Sequence, residues 1–313
     1  MRKILLALAL VFALDTTAGG AFGEGEPASV EAGSVPPSTS PWTVTSSIDW
    51  QRRVLVIHIA LDLRKAGLRL PEGRLTAERI VSRDLPSLVK DPFFSIPVDS
   101  RREVGDTVID GTVDISAILD LARLLVHRED SLSKDLSSYL STWELPLGSA
   151  TALYLRNPSS SKVTTLPSPL SWKATRAFSG IIIYADAELP VRGERGVADR
   201  LRASLFPRIY DADMNLLVDR TTVRPSVLVA WGPLAYSATY GTEEEARVGT
   251  DPLRIRASEL FGTKRTDLVL SREDADRILA LDANKSLVYE GRILVIVPRN
   301  GFGKDHPIPG SRE

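Results

Sequence analysis

Residues 53–63 read RVLVIHIALDL, and this stretch decides the fold of the first half of the chain. One face of the segment carries large aliphatic side chains: Leu55, Ile57, Ile59, Leu61 and Leu63. The alternate positions are mixed in character: Val54, Val56, His58, Ala60 and Asp62. A period of two with one apolar face predicts a long β-strand that lies against a hydrophobic core.

The residues before this strand predict an exported protein. Arg2 and Lys3 precede an apolar run over 4–14, and small residues lead to Ala21-Phe22-Gly23, which is the layout of a secretory signal peptide over 1–23. The apolar run is too short for a transmembrane helix, which needs about twenty residues. Residues 24–41 are rich in Pro, Ser, Gly and Ala, so we expect a flexible linker that ends at Trp42.

After the strand, the pattern predicts helices and strands in alternation. Helical spacing of Ala77, Ile80, Val81, Leu85 and Leu88 predicts a helix that starts near Pro71 and ends or kinks at Pro86. A second apolar stripe predicts a helix over 115–126. Extended segments are predicted over 94–99, 104–109, 136–145 and 151–156.

A polar stretch with three prolines, 157–172, marks the boundary between two domains, 42–172 and 173–299. The second domain is predicted to be mostly strands, over 178–185, 205–210, 216–219, 223–231, 253–257, 267–270 and 292–297. One helix is predicted there, with Ser271 as its N-cap and its buried face continuing to Asn284. Residues 300–313 read as a tail. The predicted fold class is α+β, with two strand-rich domains and a few helices packed on the sheets.

Composition excludes several classes of function. The 313 residues include 43% hydrophobic and 25% charged residues, which is typical of a folded soluble protein. The formal net charge is −1, so no basic surface favours nucleic acid as a partner. The chain has no cysteine, which excludes disulfides, thiol catalysis and a lipid-attachment cysteine after the signal.

The sequence predicts no metal site and no phosphate-binding loop. Asp211, Asp213 and Asn215 have the alternating oxygens that open a calcium loop, but Leu216 replaces the turn glycine and Thr222 replaces the final glutamate, so a hairpin connection is the better interpretation. The segment Gly301-Phe302-Gly303-Lys304 lacks the spacing of a phosphate-binding loop. The run Glu243-Glu244-Glu245 is interpreted as a solvated turn.

Catalytic motifs are incomplete as well. Only three histidines occur, His58, His127 and His306, and no nucleophile elbow accompanies them. His58 is expected to be a hydrogen-bonded residue on a sheet face, and His127 to lie at a helix end. Ser131 with Lys134 and Ser159 with Lys162 match a bare S-x-x-K pattern without its companion motifs. No catalytic, cofactor-binding or metal-ligating residue is therefore assigned.

A resemblance to a known family rests on five sequence segments of the second half: FSGIIIYADAELPV (178–191), LFPRIYDADMNLL (205–217), RVGTDPLRIRASELFG (247–262), TDLVLSREDADRIL (266–279) and GRILVIV (291–297). Together they resemble a family of exported bacterial proteins, common in spirochaetes, that is distantly similar to flagellar outer-membrane-associated ring proteins. A weaker match joins GRLTAERIVSRDLPSLVKD (73–91) to IPVDSRREVGDTV (96–108).

The resemblance implies an α/β module built for lateral packing, with no catalytic residues to transfer and a role in envelope or motor architecture. The sequence therefore predicts a non-enzymatic, periplasmic or secreted structural or interaction protein, without membrane insertion after signal cleavage. Its expected partners are envelope or flagellar-associated proteins or further copies of itself. A periplasmic ligand-binding module is the alternative, with a pocket between the halves lined by aromatics such as Trp172, Tyr184 or Trp231. An undetected hydrolase is the third interpretation.

Overall fold

The first half is built on one antiparallel sheet. The computed structural model describes residues 40–155, 163–169 and 173–298. Within the first of these ranges the strands are β1 (Trp42–Asp49), β2 (Val54–Asp62), β3 (Val126–Leu132) and β4 (Ser138–Pro146), which pair in the order β1-β2-β4-β3. We call this four-stranded unit the first sheet.

Short helices cover one face of the first sheet. They are α1 (Gly73–Leu88), α2 (Lys90–Phe94), α3 (Val104–Ile109), α4 (Ile115–Asp120), a 3₁₀ turn (Leu121–Leu124) and α5 (Leu147–Leu153). The predicted core face of β2 is confirmed, since its large aliphatic side chains are buried against the cluster that includes Ala77 and Val81 of α1. Pro86 lies inside α1, which ends at Leu88, and α2 follows directly.

Three predictions for the first half are wrong. Residues 104–109 form α3, because the Asp106 carboxylate accepts the Glu103 backbone N–H (2.8 Å) and starts a helix despite the β-branched residues. The strand predicted over 151–156 does not form in the described residues 151–155, since α5 runs through Leu147–Leu153. The apolar stripe over 115–126 forms only α4 and the 3₁₀ turn, and Val126 begins β3. The predicted extended segment at 94–99 is limited to a bridge between Pro97 and Glu103.

In the second half, the described residues form two four-stranded sheets and a two-stranded ribbon. Its strands are β5 (Ile181–Tyr184), β6 (Leu189–Pro190), β7 (Ala198–Asp199), β8 (Ile209–Tyr210), β9 (Leu216–Val218), β10 (Ala235–Ser237), β11 (Leu253–Arg256), β12 (Glu259–Phe261), β13 (Asp267–Val269) and β14 (Ile293–Ile296). A parallel sheet has the order β10-β14-β5-β11, and a mixed sheet has the order β12-β13-β8-β9. β5 and β14 read IIIY and ILVI because apolar residues cover both faces of the parallel sheet.

Four helices accompany these sheets: α6 (Pro225–Trp231), α7 (Thr242–Val248), α8 (Arg272–Leu279) and α9 (Asp282–Tyr289). The predicted N-cap is confirmed, since the Ser271 hydroxyl accepts the Asp274 backbone N–H (3.1 Å). The helix ends at Leu279 and α9 follows, so the predicted continuation to Asn284 is wrong. The predicted strand over 223–231 is also wrong, because Pro225 occupies the first turn of α6 and Gly232, with φ 75°, ends it.

The described residues fold as an α+β protein in which one hydrophobic core runs through both halves. The ring of Trp50, after β1, contacts Tyr236 edge-on with centroids 5.9 Å apart. α5 and α6 pack so closely that a Cβ on Gly148 would lie 2.5 Å from the Val229 carbonyl oxygen. Among the described residues, no helix combines the length and hydropathy that a membrane crossing requires.

Candidate functional site

The two histidines within the described residues lie on different strands of the first sheet. His58 lies mid-strand on the exposed face of the first sheet, where its Nδ1 is 3.1 Å from the Thr142 hydroxyl. His127 lies on β3, so the expectation that it would lie at a helix end is wrong. Its Nε2 is 2.9 Å from an Asp130 carboxylate oxygen. The His127 ring also packs on Trp143, with centroids 4.8 Å apart. His306 lies outside the described residues.

The calcium-like segment is the connection of a hairpin between β8 and β9, as the sequence predicted. One Asp211 oxygen accepts the backbone N–H groups of Asp213 (2.9 Å) and Asn215 (2.8 Å), and the other accepts the Asn215 side-chain amide. These bonds use the oxygens that a cation would need. No group of three or more acidic or histidine side chains with metal-site geometry occurs in the described ranges.

The remaining sequence motifs separate in the structure. Ser131 lies on β3 and Lys134 in the turn that follows. Glu243 to Glu245 form the first turn of α7, so their interpretation as a turn is wrong. The Glu244 carboxylate accepts the Ser237 hydroxyl (2.7 Å) and the Gly241 backbone N–H (3.0 Å), which starts the helix. Ser159 with Lys162, Trp172 and the segment 301–304 lie outside the described residues.

The two edges of the first sheet differ in a way that bears on assembly. β3, at one edge, carries His127, Arg128, Glu129 and Asp130 and has a register shift between His127 and Glu129. Charges and a bulge are the usual means by which an edge strand avoids pairing with another chain. β1, at the other edge, reads WTVTSSID, keeps a regular register over all eight residues, and is charged only at Asp49. We call β1 the free edge.

Hydrogen-bond alternation identifies which backbone groups of the free edge point outward. The Asp62 backbone N–H donates to the Pro41 carbonyl (2.9 Å), so this pair is a hydrogen-bonded one, and alternate residues of β1 bond to β2. The N–H and C=O groups of the intervening residues therefore point away from the sheet: Trp42, Val44, Ser46 and Ile48. In the described part of the chain, only the Trp42 N–H among them has a partner, the Ser40 hydroxyl at 3.3 Å.

The side chains of the free edge continue the core face of the sheet. Trp42 lies opposite Leu61, Val44 opposite Ile59 and Ile48 opposite Leu55, so all three point to the covered side. Because no strand flanks them, these three side chains are only half-buried and pack at the rim of the core. Thr43, Thr45 and Ser47 point to the opposite, exposed face. A further strand added here would extend both the hydrogen-bond ladder and the core.

A cleft of about 400 Å³ lies between the two halves, at the end of the first sheet where β1 turns into β2. Arg52, Arg53 and Pro146 line it from the first half, and Trp231, Tyr236 and Arg247 line it from the second. Of the three aromatic residues that the sequence suggested for such a pocket, Trp231 lines the cleft, whereas Tyr184 lies elsewhere and accepts a hydrogen bond from Arg254 (2.6 Å). The cleft is hereafter the interdomain cleft.

Comparison with known proteins identifies both halves. Residues 41–153 match the family model described as Treponema pallidum Tp0624, N-terminal domain, and residues 180–299 match the model described as Treponema pallidum Tp0624, second domain. No curated protein matches the sequence. The two matches cover both structural halves, in the order that the domain names give, and together they span roughly three quarters of the chain. Each half of the chain is therefore similar to one domain of Treponema pallidum Tp0624, the first half to its N-terminal domain and the second half to its second domain.

Proposed function

We propose that this protein is a non-enzymatic interaction protein of the bacterial cell envelope that assembles by pairing the free edge with the free edge of a second copy. The observation that carries the proposal is the regular, nearly uncharged β1, whose outward backbone groups have no strand partner among the described residues. Unpaired edges of this kind are templates for strand addition. The protected β3 edge of the same sheet supports the interpretation, because there the usual defences against pairing are present.

A two-fold antiparallel pairing suits the sequence of β1. The outward backbone groups belong to even-numbered residues, and only these can form the hydrogen-bonded pairs of a new ladder. Centring the two-fold axis on Thr45 pairs Trp42 with Ile48 of the second copy, and Val44 with Ser46. All outward residues are then used, and the half-buried Trp42 and Ile48 side chains cover each other on the core face. The result is one continuous sheet of eight strands.

The test compares the same substitution at the two edges. Ser46→Lys places a charge where the second copy would pack, whereas Ser131→Lys places it on the already charged β3. We expect the wild-type mature protein and S131K to sediment as dimers, and S46K to sediment as a monomer with unchanged circular dichroism. Ser46→Pro gives a second probe, because it removes only an outward N–H from an edge strand. A wild-type protein that stays monomeric throughout the micromolar range, or an S46K variant that still dimerises, would refute the proposal.

Export to the periplasm or the exterior is a part of the proposal that rests on the signal-like residues 1–23, which lie outside the described residues. Mass spectrometry of protein recovered from the envelope fraction should show a chain that begins at Glu24. The family matches contain no flagellar component, so the link to flagellar or other envelope partners remains a prediction. Recovery of a tagged chain with crosslinked neighbours from envelope extracts would test it.

A further inference from the structure

Two arginine side chains meet at the interdomain cleft without an acidic partner. Arg247 on α7 is only 7% exposed, and its guanidinium donates to three carbonyl oxygens, of Gly291 (2.8 Å), Trp231 (2.5 Å) and Gly232 (2.8 Å). The same guanidinium lies over the Trp231 ring, 5.0 Å from its centroid. The carbonyl oxygens satisfy N–H donors of the Arg247 guanidinium but carry no full negative charge, so the positive charge of Arg247 is buried without a neutralising partner.

Arg53 approaches the same point from the first half. Its Nη1 is buried and has no hydrogen-bond partner in the described residues. The guanidinium packs on Gly232, since a Cβ there would lie 2.3 Å from Nη1, and the Gly232 carbonyl is also an acceptor for Arg247. Arg53 has φ 55°, a left-handed conformation that ordinary residues rarely adopt and that often marks functional positions.

The charge state of the two side chains follows from their surroundings. Burial, together with the neighbouring charge of Arg53, lowers the pKa of Arg247 to about 9. Burial, partly offset by the nearby Tyr236, lowers the pKa of Arg53 to about 10. Both values lie above neutral pH, so both side chains stay cationic and repel each other across the cleft.

Two acidic groups near the cleft, Glu144 and Glu244, have partners other than these two arginines. Glu144 pairs with Arg52 (3.2 Å) and Arg128 (2.7 Å). Glu244 accepts hydrogen bonds from Ser237, Gly241 and the Gln51 amide. No ion pair of Arg53 or Arg247 occurs in the described part of the chain, so nothing there neutralises the two cations.

We propose that the interdomain cleft binds a small organic oxyanion, a carboxylate or a phosphate monoester, through Arg53 and Arg247. A guanidinium presents planar N–H donors that match the oxygens of either group, and Arg53 has such donors unused. Glu243 and Glu244 also line the cleft, so a ligand with one or two negative charges is favoured over one with more. The ligand bridges both halves, which makes this a binding site separate from the free edge.

The test compares an arginine of the cleft with an arginine outside it. Arg53→Gln removes the partly buried cation and shortens the side chain, whereas Arg128→Gln removes an exposed cation that is paired with Glu144 away from the cleft. The full mature protein is titrated by calorimetry with sodium phosphate and, separately, with sodium acetate, against sodium chloride at equal ionic strength. We expect wild type and R128Q to bind at least one of the two anions, and R53Q to bind it about tenfold more weakly or not at all. The anion that binds identifies the ligand class.

Thermal unfolding separates a binding role from a structural one. Binding to the folded state raises the unfolding temperature by mass action, so the anion should stabilise wild type and not R53Q. Without the anion, R53Q should be at least as stable as wild type, because it removes an unpaired buried charge. If R53Q does not fold, Arg53→Lys retains the charge, and weaker binding by R53K is the expected result. The proposal of an anion site would be overturned if wild type bound neither anion, or if R53Q bound as tightly as wild type. Either result would count against the anion site whether or not S46K is a monomer.

Discussion

Replacing Thr45 by cysteine should crosslink two copies of the protein through the free edge. The chain contains no cysteine, so any disulfide must join the two introduced thiols. The backbone N–H and C=O groups of Thr45 point toward β2, where Thr45 lies opposite His58. They are therefore not available to the second copy, and Thr45 occupies a non-hydrogen-bonded position in the proposed pair of β1 strands. At such positions the two Cα atoms are about 4.5 Å apart, which falls within the range that a disulfide spans.

Thr43→Cys provides the matched control, because Thr43 lies on the same face of the same strand. In the pairing centred on Thr45, position 43 lies opposite Ser47 of the second copy, and the two cysteines are four residues apart along the strand. At about 3.4 Å per residue this separation is roughly 14 Å, about twice the reach of a disulfide.

The assay is oxidation at micromolar protein concentration in a glutathione buffer, followed on non-reducing gels and by mass spectrometry. We expect T45C to form a covalent dimer about tenfold faster than T43C, and the two rates to become equal in concentrated urea. Equal rates under native conditions, or faster crosslinking of T43C, would refute the proposed pairing.

Three further outcomes are expected. Gly148→Ala should lower the free energy of unfolding by about 1–3 kcal/mol in urea denaturation, because the new Cβ would lie 2.5 Å from the Val229 carbonyl oxygen. Gly105→Ala is the control and should cost less, because its new Cβ would lie 3.3 Å from the Cβ of Phe94. Asp267→Asn should raise the free energy of unfolding at neutral pH, because burial raises the pKa of the Asp267 carboxyl and its buried Oδ2 has no hydrogen-bond partner in the described residues. The pKa of Asp267 is higher in the folded than in the unfolded state, so wild type gains stability as the pH falls through the folded pKa. The stability advantage of D267N over wild type should therefore shrink as the pH falls. Replacing His58 and His127 together by Gln should leave dimerisation and the cellular phenotype nearly unchanged, and a loss of function with folding and association intact would indicate an enzyme.

Local patterns predicted the elements in which one face is buried and the other exposed. β2 could be placed within one residue because Leu55 to Leu61 alternate regularly, and the start of α8 could be placed because Ser271 is a good N-cap. α3, α5 and α6 were missed because each has at most seven residues, and α3 and α6 also contain several β-branched residues, so packing rather than propensity decides their conformation.

The candidate sites depend on information that no single segment holds. A strand's position at an edge is a property of the whole sheet, so the free edge could be suspected only from the low charge of WTVTSSID. The meeting of Arg53 with Arg247 requires the two halves to pack, and neither arginine belongs to a recognisable motif. The expectation of a pocket between the halves with Trp231 in its wall came from the sequence, but its cationic lining did not.

The core that runs through both halves has a consequence for biosynthesis. During translation the first half is complete while the residues that bury Trp50 and Leu147 from the other side, including Leu228 and Tyr236, are still to be made. A chain in this state presents apolar surface together with the free edge of β1, and this combination promotes aggregation of nascent proteins. Because of this order of synthesis, we expect the first half to be prone to aggregation until α6 and β10 have emerged.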